Sequence, residues 1–184
     1  MDKRVVVPLA EGVEEMEAVI IIDVLRRAGL EVMAAGLDGP GPIVASRGVT
    51  LHADVGLDEA LALSVDALVL PGGLGGMEQL RGDERILASV RSLLAQGRLV
   101  AAVCAAPLVL ARAGEAAGRR MTCHPSVREE LLGAGAEAAE GRVVQDGTVL
   151  TSLGPGSSVE FALAVAAELV GPERALEVSA AMCV

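Results

Sequence analysis

Nine consecutive residues, Leu99–Pro107, constrain this chain more than any other stretch; they read Leu-Val-Ala-Ala-Val-Cys-Ala-Ala-Pro. Five small or branched apolar residues in succession suit a strand buried on both faces of a parallel sheet. The run stops at Cys104, and after Ala105 and Ala106 a helix is predicted over Leu108–Ala113. Pro107 is tolerated in its first turn, because the N–H that proline lacks would have had no partner there. Cys104 therefore stands where a strand ends and a helix begins. Amide groups and the positive end of the helix dipole at such a point favour a thiolate. This is the arrangement of a nucleophile elbow, with sulfur in place of a serine oxygen. The stretch fits a buried structural cysteine equally well, since free cysteine is among the most buried residue types. Both readings stand on these residues alone.

Around this stretch the chain alternates strands and helices. Strands are predicted at Arg4–Leu9, Glu31–Gly36, Ala67–Leu70, Leu99–Val103 and Val149–Ser152. Helices are predicted at Met16–Ala28, Leu57–Leu63, Glu84–Gln96, Ser126–Leu132, Val159–Val170 and Pro172–Val178, with Ser179–Val184 as a tail. Ile43–Ala45 and Val49–His52 flank Ser46-Arg47-Gly48 as a hairpin, and Asp146-Gly147 marks a second one after Val143–Gln145. Arg120–Cys123 and Glu137–Ala139 read as short strands. Ser157 and Glu160 have the spacing of a capping box. Pro71-Gly72-Gly73-Leu74-Gly75-Gly76 reads as a loop, either a plain flexible turn or a place where backbone amides approach a ligand or an oxyanion. It lacks the Gly-Lys-Ser/Thr of a phosphate loop and the Gly-x-Gly-x-x-Gly of a dinucleotide loop.

With no repeat or linker in view, one domain over residues 1–184 is expected: a three-layer α/β/α sandwich around a mostly parallel, flavodoxin-like sheet. Ligands of such sheets bind at the strand carboxyl ends, where Glu17, Gly72–Gly73, Cys104 and Leu153-Gly154 all fall.

Charge and composition narrow the function. A net charge of −10 works against attraction to nucleic acid or an anionic membrane, and the absence of Trp and Tyr removes base-stacking platforms. No apolar run approaches the ~18 residues of a membrane span. Met1–Arg4 leads directly into the first strand with no signal-peptide pattern. Cys104, Cys123 and Cys183 are odd in number and widely spaced. They suit a reducing cytoplasm better than a disulfide framework or a zinc site.

Several side chains carry alternative readings. Glu17 opens an apolar stretch, Met16 to Ile22, where a packed carboxyl has a raised pKa and can donate a hydrogen bond or shuttle a proton. Alternatively it is a solvent-facing carboxylate at a helix N-terminus, a role that Glu14 and Glu15 fill better. His124, held extended by Pro125, either transfers protons or packs. Arg47 either orients an anion near Cys104 or faces solvent. Cys123 reads as core, and Cys183 as exposed.

The chain is similar to members of the DJ-one/ThiJ/PfpI superfamily, in its DJ-one/YajL branch, nearly end to end. The similarity rests on Glu14-Glu15-Met16-Glu17, Asp23-Val24-Leu25-Arg26-Arg27-Ala28-Gly29, Leu70-Pro71-Gly72-Gly73, Ala102-Val103-Cys104-Ala105-Ala106-Pro107, His124-Pro125 and Thr151-Ser152-Leu153-Gly154-Pro155-Gly156. The resemblance implies a homodimer with Cys104 as reactive cysteine and Glu17 as the carboxyl bonded to it. It also implies Gly73 and Ala105 as amide donors to an oxyanion, and His124 nearby. Gly72 and Arg47 are expected beside the substrate. No metal or organic cofactor is implied.

The activities implied are those of a glutathione-independent glyoxalase or a protein or nucleotide deglycase, on small aldehydes such as methylglyoxal or on glycated groups. The alternative is an oxidative-stress sensor or chaperone whose Cys104 becomes a sulfinate. There are departures from the branch. Ala105 stands where its protease-like relatives carry a histidine, which removes a peptidase triad. Ala106 replaces a common glycine. Leu153 replaces an arginine that would pair with Arg47, and His52 replaces a peripheral cysteine.

Overall fold

A computed structural model describes residues 3–184; Met1 and Asp2, part of the Met1–Arg4 reading, lie outside the described residues. The strands are β1 (Arg4–Leu9), β2 (Glu31–Gly36), β3 (Gly41–Val44), β4 (Thr50–Ala53), β5 (Val55–Gly56), β6 (Ala67–Leu70), β7 (Leu99–Val103), β8 (Arg120–Met121), β9 (Glu137–Ala138), β10 (Val143–Asp146) and β11 (Val149–Ser152). The helices are α1 (Glu15–Arg27), α2 (Leu57–Leu61), α3 (Leu74–Gly82), α4 (Glu84–Ala95), α5 (Pro107–Arg112), α6 (Arg128–Gly133), α7 (Ser158–Val170) and α8 (Pro172–Ala181).

One seven-stranded sheet runs β10-β11-β7-β6-β1-β2-β5, parallel throughout except for the β10–β11 hairpin at its edge. The order β2-β1-β6-β7-β11 is that of a flavodoxin-like fold, as expected. The chain leaves β1 toward one edge and returns at β6 on the other side. The crevice for a ligand therefore opens between the carboxyl ends of β1 and β6.

Successive strand residues point to opposite faces, and the core divides accordingly. Val6, Leu68, Leu70 and Val100 pack with Ile86, Val90 and Leu108 from α4 and α5. Val5, Val7, Val69 and Val103 pack with Ile21, Leu25 and Phe161 from α1 and α7. β7 is buried along its whole length, as its run of apolar residues requires.

Four segments differ from expectation. The Gly-rich stretch after β6 becomes helix α3 from Leu74 onward, because Gly75 and Gly76 let it lie directly on the loop after β1; a Cβ on Gly76 would stand 2.9 Å from Val13 Cα. The capping box does not form: the Ser157 hydroxyl bonds Gly154 and Ser152 instead, and Glu160 pairs with Arg142. Helix α8 continues through Ala181, so the first half of the expected tail is helical. The expected Arg120–Cys123 strand ends at Met121, where the chain turns in toward β11 through the Thr122 amide and the Thr151 hydroxyl, 3.0 Å apart.

Candidate functional site

Three strand exits meet at the crevice. The first turn of α1, after β1, is capped by Glu14, whose carboxylate accepts from the Glu17 amide at 2.7 Å. With that end satisfied by Glu14, Glu17 is free to turn inward and is fully buried. Its Oε2 accepts from the Gly72 amide, at the exit of β6, at 2.7 Å. Its Oε1 is buried with no hydrogen-bond partner.

Cys104 follows β7 with φ +64°, a left-handed conformation that costs a non-glycine residue roughly 1–3 kcal/mol and marks a position held for a purpose. Its amide bonds the Ser152 carbonyl at 2.9 Å, so β11 fixes the elbow from the other side. The approach of the pair requires glycine around it. A Cβ on Gly72 would lie 2.6 Å from Cys104 Cβ and 2.7 Å from Glu17 Oε2. One on Gly154 would lie 4.0 Å from both Cys104 Sγ and Glu17 Oε1. Gly73, at φ +85°, has no room at all: its Cβ would stand 2.4 Å from the Gly12 carbonyl oxygen.

The two ionisable groups act on each other. Burial raises the Glu17 carboxyl from an ordinary 4.5 to about 7, against the opposing pull of the Gly72 amide and the neighbouring Cys104 thiol. Burial, then the nearby charge of Glu17, push the Cys104 thiol up to about 12, although the Gly73 and Ala105 amides pull it down. The pair thus loses one proton near neutrality and keeps the second far beyond it. Each group thus holds its proton more tightly than it would alone, and the amides at the start of α5 and the neighbouring carboxylate pull on the thiol proton in opposite directions.

His124 is half-buried, with its amide on the Cys104 carbonyl at 2.9 Å. Its Nδ1 accepts from the Ser126 amide at 3.2 Å and meets the Ser126 hydroxyl at 2.8 Å, which leaves Nε2 as the protonated nitrogen. The ring edge faces the pair: Cδ2 lies 3.5 Å from the position of a Gly154 Cβ. A cleft of about 460 Å³ opens there, lined by Gly73, Leu74, Cys104, Ala105, His124, Pro155, Ser46 and Arg47.

The structure brings together Glu17, Gly73, Cys104, Ala105 and His124, with Arg47 exposed at the rim. Gly72 differs from expectation: its amide is committed to Glu17 rather than to a substrate. Leu153 is half-buried and does not line the cleft. Cys123 is core and Cys183 is exposed, as read from the sequence. Two serines beside the site carry weaker signals in the sequence: Ser126 stands two residues after His124, a local side-chain-to-backbone spacing, and Ser157 has the spacing of a capping box but bonds Gly154 and Ser152. No group of three or more His, Cys, Asp or Glu among the described residues is placed to hold a metal ion.

Fold and site together define an α/β protein with a strained cysteine elbow and a buried carboxyl at the switch point of its sheet. Comparison with known proteins gives the same result in more detail. The model of the DJ-1/PfpI family matches residues 3–168. Protein dj-1beta of Drosophila melanogaster is 42% identical over 184 residues, covering 100% of this chain and 98% of that protein. Its crystal structure superposes with a TM-score of 0.96, covering 100% and 99% of the two chains. A Caenorhabditis elegans protein named glutathione-independent glyoxalase DJR-1.2 is 34% identical over 173 residues, 94% of this chain and 91% of that one. The chain belongs to the DJ-1/PfpI family.

Proposed function

We propose that the protein is a cysteine-dependent, glutathione-independent glyoxalase and deglycase. The observation that carries this reading is the buried Glu17 carboxyl, its unpartnered Oε1 beside the Cys104 sulfur, titrating near neutrality. The name of the C. elegans relative points the same way.

In this reading Cys104 Sγ attacks the aldehyde carbon of a 2-oxoaldehyde, and the thiol proton passes through Glu17 to the aldehyde oxygen. The product is a hemithioacetal whose oxygen lies against the Gly73 and Ala105 amides. Glu17, again a carboxylate, takes the proton from C1, the adjacent carbonyl oxygen is protonated with the help of His124, and an enediol forms. Return of the proton to C2, with the C1 hydroxyl giving its proton back to His124, gives a thioester. Water cleaves it to a 2-hydroxy acid and restores the thiol; methylglyoxal plus water becomes lactate. On a glycated amine or thiol, Sγ takes the place of the bound group at C1, the C–N or C–S bond breaks and the original group leaves carrying a proton, and the resulting hemithioacetal follows the same steps. A base whose pKa lies near the operating pH is suited to both proton transfers.

The protein acts as a homodimer in this proposal, in a reducing compartment such as the cytoplasm, where its three free cysteines persist. No described helix is long and apolar enough to cross a membrane.

The test is lactate formation from methylglyoxal without glutathione. Cys104→Ser should abolish it. Glu17→Gln should lower kcat by at least about 100-fold, the scale of a lost general base. Wild-type-like turnover in either variant excludes the mechanism. The sensing alternative has its own support, since Cys104 is only half-buried and the protonated Glu17 could donate to a sulfinate. It predicts that mild peroxide adds two oxygens selectively at Cys104, read by intact mass; equal modification of all three cysteines counts against it.

A further inference from the structure

A buried carboxylate that the mechanism leaves idle stands two residues before Glu17. Glu15 is 7% exposed, although it opens a surface helix. Its Oε2 accepts from the Ser46 hydroxyl at 2.7 Å and its Oε1 from the Arg47 amide at 2.8 Å. Burial alone would raise its pKa, but hydrogen bonds from its own amide, Ser46, Arg47 and Val49 hold it below the usual carboxylate range. All these donors beyond its own belong to the turn between β3 and β4. That turn is tied at its base as well: the Ser46 amide bonds the Val13 carbonyl at 2.8 Å, and the Gly12 amide bonds the Val44 carbonyl at 2.8 Å.

The turn carries part of the cleft wall. Ser46 and Arg47 both line the cleft that Cys104 and Ala105 also line. The Arg47 guanidinium makes only a long contact, 3.4 Å, to the Ser46 carbonyl, and has no carboxylate partner among the described residues. Its backbone is thus held by a buried carboxylate while its charge is left unused at the mouth of the cleft.

We propose that Glu15 is a positioning residue that fixes the Ser46–Arg47 turn so that the Arg47 guanidinium faces an anionic or strongly dipolar end of the substrate held at Cys104. Glu15 and Glu17 share the first turn of α1. One carboxyl therefore sets the cleft wall while the other sets the reacting centre, from positions two residues apart that point to different sides of the helix. This inference rests on the cleft being where substrate is held, but its test does not require turnover.

The readout is the rate of Cys104 alkylation by iodoacetate divided by that by iodoacetamide, with the labelled peptide identified by mass and Cys104→Ser as the blank. Arg47→Ala should lower the ratio about fivefold, the worth of one unit charge at close range in water. Glu15→Ala should lower it as far, and the double variant no further. Glu15→Gln, which keeps an oxygen for the Arg47 amide, should match or exceed the wild type. The sign is decisive. Removing the negative charge of Glu15 can by itself only speed an anionic reagent, so a fall in Glu15→Ala must come through the turn. Ser46→Ala, which removes one donor from the clamp, should lower the ratio part of the way and carries the test if Glu15→Ala fails to fold. The proposal is overturned if the wild-type ratio is no higher than that of Arg47→Ala, if Glu15→Ala rises alongside Glu15→Gln, or if Ser46→Ala is unchanged. If the ratios behave as expected and no lactate forms, the positioning role stands and the glyoxalase reading falls.

Discussion

Glu17 is anchored by one amide and otherwise enclosed, and that arrangement makes its proton a component of the fold. The folded state binds the proton more tightly than the unfolded chain does, because the carboxyl is raised from 4.5 to about 7. The stabilisation is therefore complete below the ordinary carboxyl pKa and is lost as pH climbs through 7. Fully expressed, the difference amounts to roughly 3 kcal/mol. Glu17→Gln is neutral throughout and escapes this loss. Denaturant unfolding at pH 5 and pH 8 should show the variant gaining on the wild type by up to about that amount; a gap that stays constant with pH would refute the burial argument. The sequence showed a carboxyl opening the apolar stretch Met16 to Ile22 but left its burial open, because Val19 of the same stretch is exposed and Glu17 could have faced solvent as well. The ionisation of Cys104 was left open too. Whether a helix start or a neighbouring carboxylate wins depends on which side chain turns inward, and only the Gly72 contact and the Glu14 cap decide that.

Helix α3 shows how a backbone contact can overrule local preference. Glycine costs a helix about 1 kcal/mol relative to alanine, so the residues after Pro71 read as a loop, and Gly76→Ala ought to stabilise the helix that exists. Packing reverses the sign. The added Cβ would stand 2.9 Å from Val13 Cα and 3.0 Å from Val13 N, rigid backbone that the Glu14 cap also needs. Gly76→Ala should lower the melting temperature by several degrees, on the order of 1–3 kcal/mol of overpacking; a higher one would show that the β1 loop yields. The long elements were readable because buried parallel strands need uninterrupted apolar runs, and β1, β2, β6, β7 and β11 have the predicted bounds. What escaped was decided by distant partners: the Arg142–Glu160 pair that replaces the capping box, and the edge strand β5, whose two residues carry no pattern.

For the molecule as a whole, the two faces of α1 do different work. The inner face carries Glu17 and the core residues Ile21, Val24 and Leu25. Its outer face exposes Met16 at 55% and Val19 at 49%, and Val19, Ile22 and Leu51 of β4 share one shallow depression of about 240 Å³. A second copy of this chain is the occupant that the proposed homodimer supplies. Sedimentation should give a dimer for the wild type and a monomer, or a far weaker dimer, for Val19→Glu; dimers of equal strength would place the interface elsewhere.

The aliphatic character of the interior has one last outcome. Phe161 is sealed on the inner face of α7 at 0% exposure and is the only Phe, Tyr or Trp in the sequence. The folded protein is consequently almost dark in the near ultraviolet. A tryptophan introduced beside the cleft would be the sole emitter in the molecule, so any change in its light on mixing with an aldehyde could be ascribed to that one place without subtraction.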